Sequence, residues 1–166
     1  MEHEQVAHAD DDDVGLHAIA AIHSTKLGPA LGGTRFYPYP SKDDALADVL
    51  RLSKAMSYKN AAAGLDLGGG KAVIIGDPRT DKSEALFKRY GAFIDSLDGR
   101  YITTEDVGTT VADMEIIHSV TPDVTGFAIE HGGSGDPSEA TGWGVFSAFR
   151  TLAKRLWNAD TLEGRR

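Results

Sequence analysis

No cysteine occurs among the 166 residues. A disulfide framework, a thiolate metal site and a thiol nucleophile are therefore excluded. Positive charge is also scarce: 17 Lys and Arg stand against 25 Asp and Glu, a net charge of -8. That balance argues against a nucleic-acid surface or an anionic membrane surface, and it leaves small molecules and other copies of the chain as partners. No apolar run approaches the length that crosses a bilayer, and the start MEHEQV is acidic, which reads as a cytoplasmic protein.

Nucleotide motifs are missing too. The stretch AGLDLGGGKAVIIGD, residues 63–77, runs three glycines into Lys71. A phosphate loop needs glycine six residues before the lysine and Ser or Thr after it, but Leu65 and Ala72 hold those places. A dinucleotide fingerprint needs a third glycine where Val73, Ser138 and Ser147 follow the three G-x-G pairs. The aspartates 10–13 lack the spaced ligands and closing glutamate of a calcium loop, so no metal site is expected and a solvated turn is read instead.

What is present is ordinary globular composition, 41% hydrophobic and 25% charged, enough for one domain with a core. Apolar-rich runs from His3 to Ala9 and from Leu16 to His23 flank the acidic turn and predict a hairpin. Ser41 reads as an N-cap, with Asp43 and Asp44 in the first turn of a helix over 42–62. Its inner stripe, extended through Leu52 and Met56, reaches Lys59 and turns it inward or nearly so. Ala72 to Ile75 predicts a strand covered on both faces, residues 81–97 a helix, and Tyr101 to Thr103 another strand. Strand, helix, strand is the grammar of an α/β domain. Thr110 with Asp113 approximates a capping box, and Pro137 opens a last helix that runs to about Trp157.

Three charges occupy awkward positions. Lys59 ends an inner helical stripe, Lys71 borders a buried strand, and Asp106 lies in the loop after a strand, where open α/β sheets hold ligands. A buried ammonium is costly unless paired, and its pKa shifts readily downward. Two lysines and an aspartate in one cleft would suit an anionic substrate and acid–base chemistry. Each also fits a structural role: Lys59 as a snorkelling cation at a helix C-terminus, Lys71 as a strand-edge charge, Asp106 as a turn residue.

The segments LGPALGGTRFYPY (27–39), MSYKNAAAGLDLGGGKAVI (56–74) and YITTEDVGTTVADM (101–114) resemble the Glu/Leu/Phe/Val dehydrogenase family, and most closely its leucine and valine branch. The likeness runs from HEQV to the final helix. It implies NAD-dependent oxidative deamination of an L-amino acid to a 2-oxo acid and ammonia. By that resemblance Lys59 holds the substrate carboxylate, Lys71 activates water and Asp106 shuttles a proton. Gly32 and Gly33 approach the substrate, and Thr141 lies near the nicotinamide. The glycines 68–70 would let backbone come close to substrate. Glutamate-using members carry lysine in the place of Leu31, so leucine there implies an apolar substrate side chain.

The departures from the family matter equally. A complete member begins with a helix ahead of HEQV and continues past a segment like DTLEGRR into a Rossmann domain. The expectation is therefore a mixed sheet with helices on both faces and no Rossmann domain. Residues 1–150 would form the substrate-binding and oligomerisation domain, and 151–166 the end of the last helix and the start of a connection. This chain alone would bind no NAD, would not turn over, and would self-associate as a dimer or higher oligomer. An assembly or ligand-binding module without catalysis is the alternative. Removing a second domain would bare Phe146, Phe149, Leu152 and Trp157. A geometric tension also stands: if Lys71 precedes a strand of about five residues and Asp106 follows a parallel one, roughly 16 Å separates them.

Overall fold

The structure is a computed structural model that describes residues 2–164. Contacts divide the chain into two compact units, Met1–Gly135 and Asp136–Arg166. The division falls before the last helix rather than inside it. The segment DTLEGRR closes on residues 165 and 166, which lie outside the described residues.

The first unit is α/β, built on one five-stranded mixed sheet of order β1-β2-β4-β3-β5. Its strands are β1 (Gln5–Asp11), β2 (Leu16–Ser24), β3 (Ala30–Tyr37), β4 (Gly68–Ile75) and β5 (Tyr101–Glu105). The predicted hairpin is β1 with β2, antiparallel, its turn closed by Gly15 at φ 70°. β2 also runs antiparallel to β4, while β3 runs parallel to both β4 and β5. The sheet is mixed because the hairpin supplies two antiparallel neighbours and the crossover segments supply the parallel ones.

Helices cover both faces. On one, α1 (Lys42–Ala62) packs Ala45 and Val49 against Ile19, Ala21 and Val73. On the other, α2 (Glu84–Asp95) and α3 (Val111–His118) cover a larger core that includes Phe36, Ile74, Phe87, Tyr90, Tyr101 and Met114. Each such apolar side chain removed from water contributes about 1.5–3 kcal/mol. Alternation along β4 divides the two cores, with Ala72 and Ile74 facing α2 and Val73 facing α1.

The helix starts follow local chemistry. Ser41 accepts from the Asp44 amide, and Thr110 and Asp113 complete the expected capping box. α2 begins at Glu84 rather than near 81, because the Ser83 hydroxyl accepts from the Leu86 amide and so sets the first turn. β4 begins at Gly68, four residues before the expected start. Glycine has poor strand propensity, but here β2 and β3 pair with the run on both sides, and tertiary pairing overrides propensity.

The second unit carries α4 (Ser138–Trp157), ended by Asn158 in the left-handed conformation. Phe146, Phe149, Leu152 and Trp157 are exposed along it, as are Trp143 and Leu156. Among the described residues no helix is long and apolar enough to cross a membrane.

Candidate functional site

Register brings the site together. Thr34 in β3 aligns with Ala72 of β4 on one side and with Glu105 of β5 on the other. Lys71 therefore stands one residue before a shared rung and Asp106 one residue after it. The expected 16 Å gap vanishes, since Lys71 lies inside β4 rather than ahead of it. Its ammonium meets the Asp106 Oδ2 at 2.5 Å. Lys71 is 6% exposed and Asp106 is half-buried.

The loop after β5 is tied down to hold that carboxylate. The Asp106 amide donates to the Thr109 hydroxyl at 2.8 Å, and the same hydroxyl donates to the Thr34 carbonyl at 2.9 Å. The Phe36 amide donates to the Val107 carbonyl. Gly108, at φ 82°, lies so close to β3 that any side chain there would overlap the Phe36 carbonyl.

Gly33 faces the ion pair. A Cβ on it would stand 2.8 Å from the Asp106 Cβ and 3.2 Å from Lys71 Nζ, so a side chain would displace both. Gly32 abuts the backbone of Gly70 instead, and its carbonyl accepts from the Tyr101 hydroxyl at 2.6 Å. Leu31, half-buried, lies on the same strand.

Two expectations are corrected by burial. Lys59 is exposed, not inward. The buried stripe of α1 is Ala45, Val49, Ser53 and Asn60, and Lys59, about 100° around the helix from Asn60, turns away. Asn60 takes the inner place and donates to the Gly68 carbonyl at 2.6 Å, fastening α1 to the start of β4. Lys59 remains close enough for its charge to act on Lys71. The glycine run, in turn, is needed for packing within the chain. Gly69 lies against the Ser57 backbone of α1, and Gly70 against the Tyr101 ring. Thr141 lies in the first turns of α4, exposed, in the second unit.

The first unit also carries the family signature. Residues 3–122 match the model of the Glu/Leu/Phe/Val dehydrogenase dimerisation domain. The chain belongs to the Glu/Leu/Phe/Val dehydrogenase family. It is 58% identical over 164 residues to the leucine dehydrogenase of Geobacillus stearothermophilus, covering 99% of this chain and 45% of that one. It is 57% identical to the valine dehydrogenase of Streptomyces virginiae, over 99% of this chain and 46% of that one. The crystal structure of L-tryptophan dehydrogenase from Nostoc punctiforme superimposes with a TM-score of 0.75 at 41% identity, over 98% of this chain and 45% of that one. A Leu-bound hetero-hexameric glutamate dehydrogenase from Thermus thermophilus gives 0.77 at 27% identity, over 92% and 41%. The chain thus spans about 45% of the length of the curated relatives it matches.

This dehydrogenase-family site holds residues that the sequence reading missed. Arg35 of β3 donates through Nε to Asp106 Oδ2 at 3.2 Å and pairs through its terminal nitrogen with Asp48 Oδ2 of α1 at 2.9 Å. Asp48 also accepts from the Tyr39 hydroxyl at 2.8 Å and pairs with Arg51 at 2.6 Å. One signal was available: a charged side chain, Arg35, set between a glycine pair with Thr34 and the apolar Phe36 in GGTRF.

Burial holds the Lys71 pKa below its ordinary value; Asp106 opposes this, while Arg35 and Lys59 add to it. For Asp106 burial pushes upward, but Lys71, the Val107 amide and Arg35 outweigh it, and the carboxyl titrates below its ordinary value. The signs have consequences for stability. Between the lowered Lys71 value and 10.5, the unfolded chain binds more protons at this residue than the folded one, so its contribution to stability rises with pH. Asp106 contributes stability that is lost as pH falls below 3.8. Urea denaturation of wild type and Lys71→Met across a pH series should show wild type gaining relative to the variant as pH approaches 10.5; a flat difference would contradict it.

Proposed function

We propose that this chain supplies the substrate-binding and acid–base half of an NAD-dependent L-amino-acid dehydrogenase acting on leucine- or valine-type substrates, with release of a 2-oxo acid and ammonia. The observation that carries the reading is the buried Lys71–Asp106 ion pair, held against Gly33 on a chain 57–58% identical to leucine and valine dehydrogenases.

The Lys71–Asp106 geometry and the family likeness support the following roles. Lys71, its proton weakened by burial, removes a proton from the water that attacks the imino carbon. Asp106, kept ionised, takes up a proton and passes it to the departing amine nitrogen. Lys59, an exposed cation at the end of α1, holds the substrate carboxylate, and the backbone of Gly32 and Gly33 approaches the substrate beside β3. Thr141 approaches the nicotinamide in the complete enzyme. The described residues form one sheet and no glycine fingerprint, which does not fit a dinucleotide site within them. Self-association and a cytoplasmic setting go with this reading. The exposed apolar residues of α4 favour association even in a chain that does not turn over.

The test is a chimera in which this chain is followed by the remainder of the Geobacillus stearothermophilus leucine dehydrogenase. Reduction of NAD with leucine or valine is expected, and none from this chain alone; an inactive but folded chimera would refute the proposal. Leu31→Lys in the chimera should lower kcat/KM for leucine by at least about tenfold and improve glutamate relative to it, because a cation replaces apolar surface and can pair with a second carboxylate. Unchanged preference would remove Leu31 from the specificity pocket.

A further inference from the structure

Arg35 has no place in the acid–base scheme above, yet it touches its centre. Its Nε and the Lys71 ammonium converge on one oxygen, Asp106 Oδ2, at 3.2 and 2.5 Å. The other end of the guanidinium is held by Asp48, itself fixed by the Tyr39 hydroxyl and Arg51. Arg35 and Asp48 are both largely buried, with side-chain exposures of 23% and 17%. An arginine cannot lose its charge, and its planar fork spans two carboxylates in a fixed geometry.

We propose that Arg35 is a positioning residue of the Lys71–Asp106 pair: anchored to α1 by Asp48, it fixes the Asp106 carboxylate and sets a permanent positive charge against Lys71. The inference rests on the reading of Lys71 and Asp106 as the acid–base pair. It carries a second consequence. α1 bears both Asp48 and Lys59, so the Asp48–Arg35 link ties the helix that binds substrate to the carboxylate that moves its proton.

Other titratable groups surround the pair: Asp48 and Lys59 come from α1, Tyr39 from the segment after β3, and Tyr101 from β5. Arg35 differs from them in contacting Asp106 directly while its charge also disfavours the Lys71 ammonium. Neutralising Arg35 removes that repulsion and frees Asp106 Oδ2 for Lys71 alone. Both changes raise the pH at which Lys71 loses its proton.

The direct measurement is the titration of the Lys71 side chain in this chain by carbon NMR of its Cε. Arg35→Gln should raise the midpoint by roughly one pH unit. Arg35→Lys, which keeps a cation, should retain most of the wild-type midpoint. A folded Arg35→Gln chain with an unmoved midpoint overturns the proposal. The absence of cysteine allows a second route if the glutamine variant does not fold. Arg35→Cys can be labelled with an aminoethyl or with a neutral methyl thiosulfonate; the aminoethyl form should titrate lower, and equal midpoints overturn the proposal. In the active chimera, Arg35→Gln should shift the acid limb of kcat/KM upward by a similar amount while KM for leucine stays within about twofold. An inactive wild-type chimera strikes the proposed function instead, and the NMR titration still decides the role of Arg35.

Discussion

Lys71→Met in the chimera is expected to lower kcat by roughly a thousandfold, the scale on which a positioned general base acts. Methionine fills a similar volume without the amine, so β4 should keep its place between β2 and β3. The loss should fall on kcat more than on KM, because in this scheme the lysine acts on water rather than on the bound carboxylate. Steady-state kinetics with leucine, read beside the thermal midpoint of each chimera, checks this. Activity within about tenfold of wild type would leave the buried ion pair as a structural feature. The variant also leaves Asp106 facing Arg35 alone, so the carboxylate stays paired and the fold avoids an orphaned buried charge.

Gly69→Ala is expected to destabilise the first unit by about 3 kcal/mol or to prevent its folding. A Cβ at this position would lie 2.5 Å from the Ser57 Cα and closer still to its amide, so helix backbone would have to move. α1 cannot retreat alone, since Asn60 fastens it to Gly68 and Ala45 and Val49 are packed on β2 and β4. Gly144→Ala is the control. No atom lies within 4 Å of a Cβ there, so alanine in the helix α4 should be neutral or mildly stabilising. Urea denaturation separates the two; a Gly69→Ala chain within about 1 kcal/mol of wild type would refute the close-packing account.

The two experiments address different halves of one arrangement. The glycine run lets α1 lie close on β4, and that closeness brings Asp48 to Arg35 and Lys59 near Lys71. A loss of packing at Gly69 should therefore also disturb the acid–base pair, whereas loss of the Lys71 amine should leave the packing alone.

Much of this could be read from the letters. Ser41 and the Thr110–Asp113 box cap their helices through bonds spanning three residues, and such chemistry is complete in the local sequence. The spacing of Phe87, Tyr90 and Ile94 marked the buried face of α2 in the same way. The family likeness rested on contiguous segments, LGPALGGTRFYPY among them, and named Lys71 and Asp106 together. What local reading misjudged was direction and pairing. The spacing of α1 extends its inner stripe to Lys59, whereas Asn60 is the residue turned inward, because one helical position separates a packed face from a wet one. The start of β4 at Gly68 is not legible because its glycines carry no strand signal of their own. The role of Arg35 is not legible locally because its partners lie in a helix and in a loop far along the chain.

Local sequence thus determined the helices and the strands β1, β2 and β5, since caps, turns and periodicity act over a few residues, but not the strand β3 nor the glycine start of β4. Tertiary structure decided the order β1-β2-β4-β3-β5, the depth of Lys71 within β4 and the meeting of Lys71, Asp106, Arg35 and Asp48. Those depend on strand register and helix packing between distant segments, where burial and charge act through space rather than along the chain.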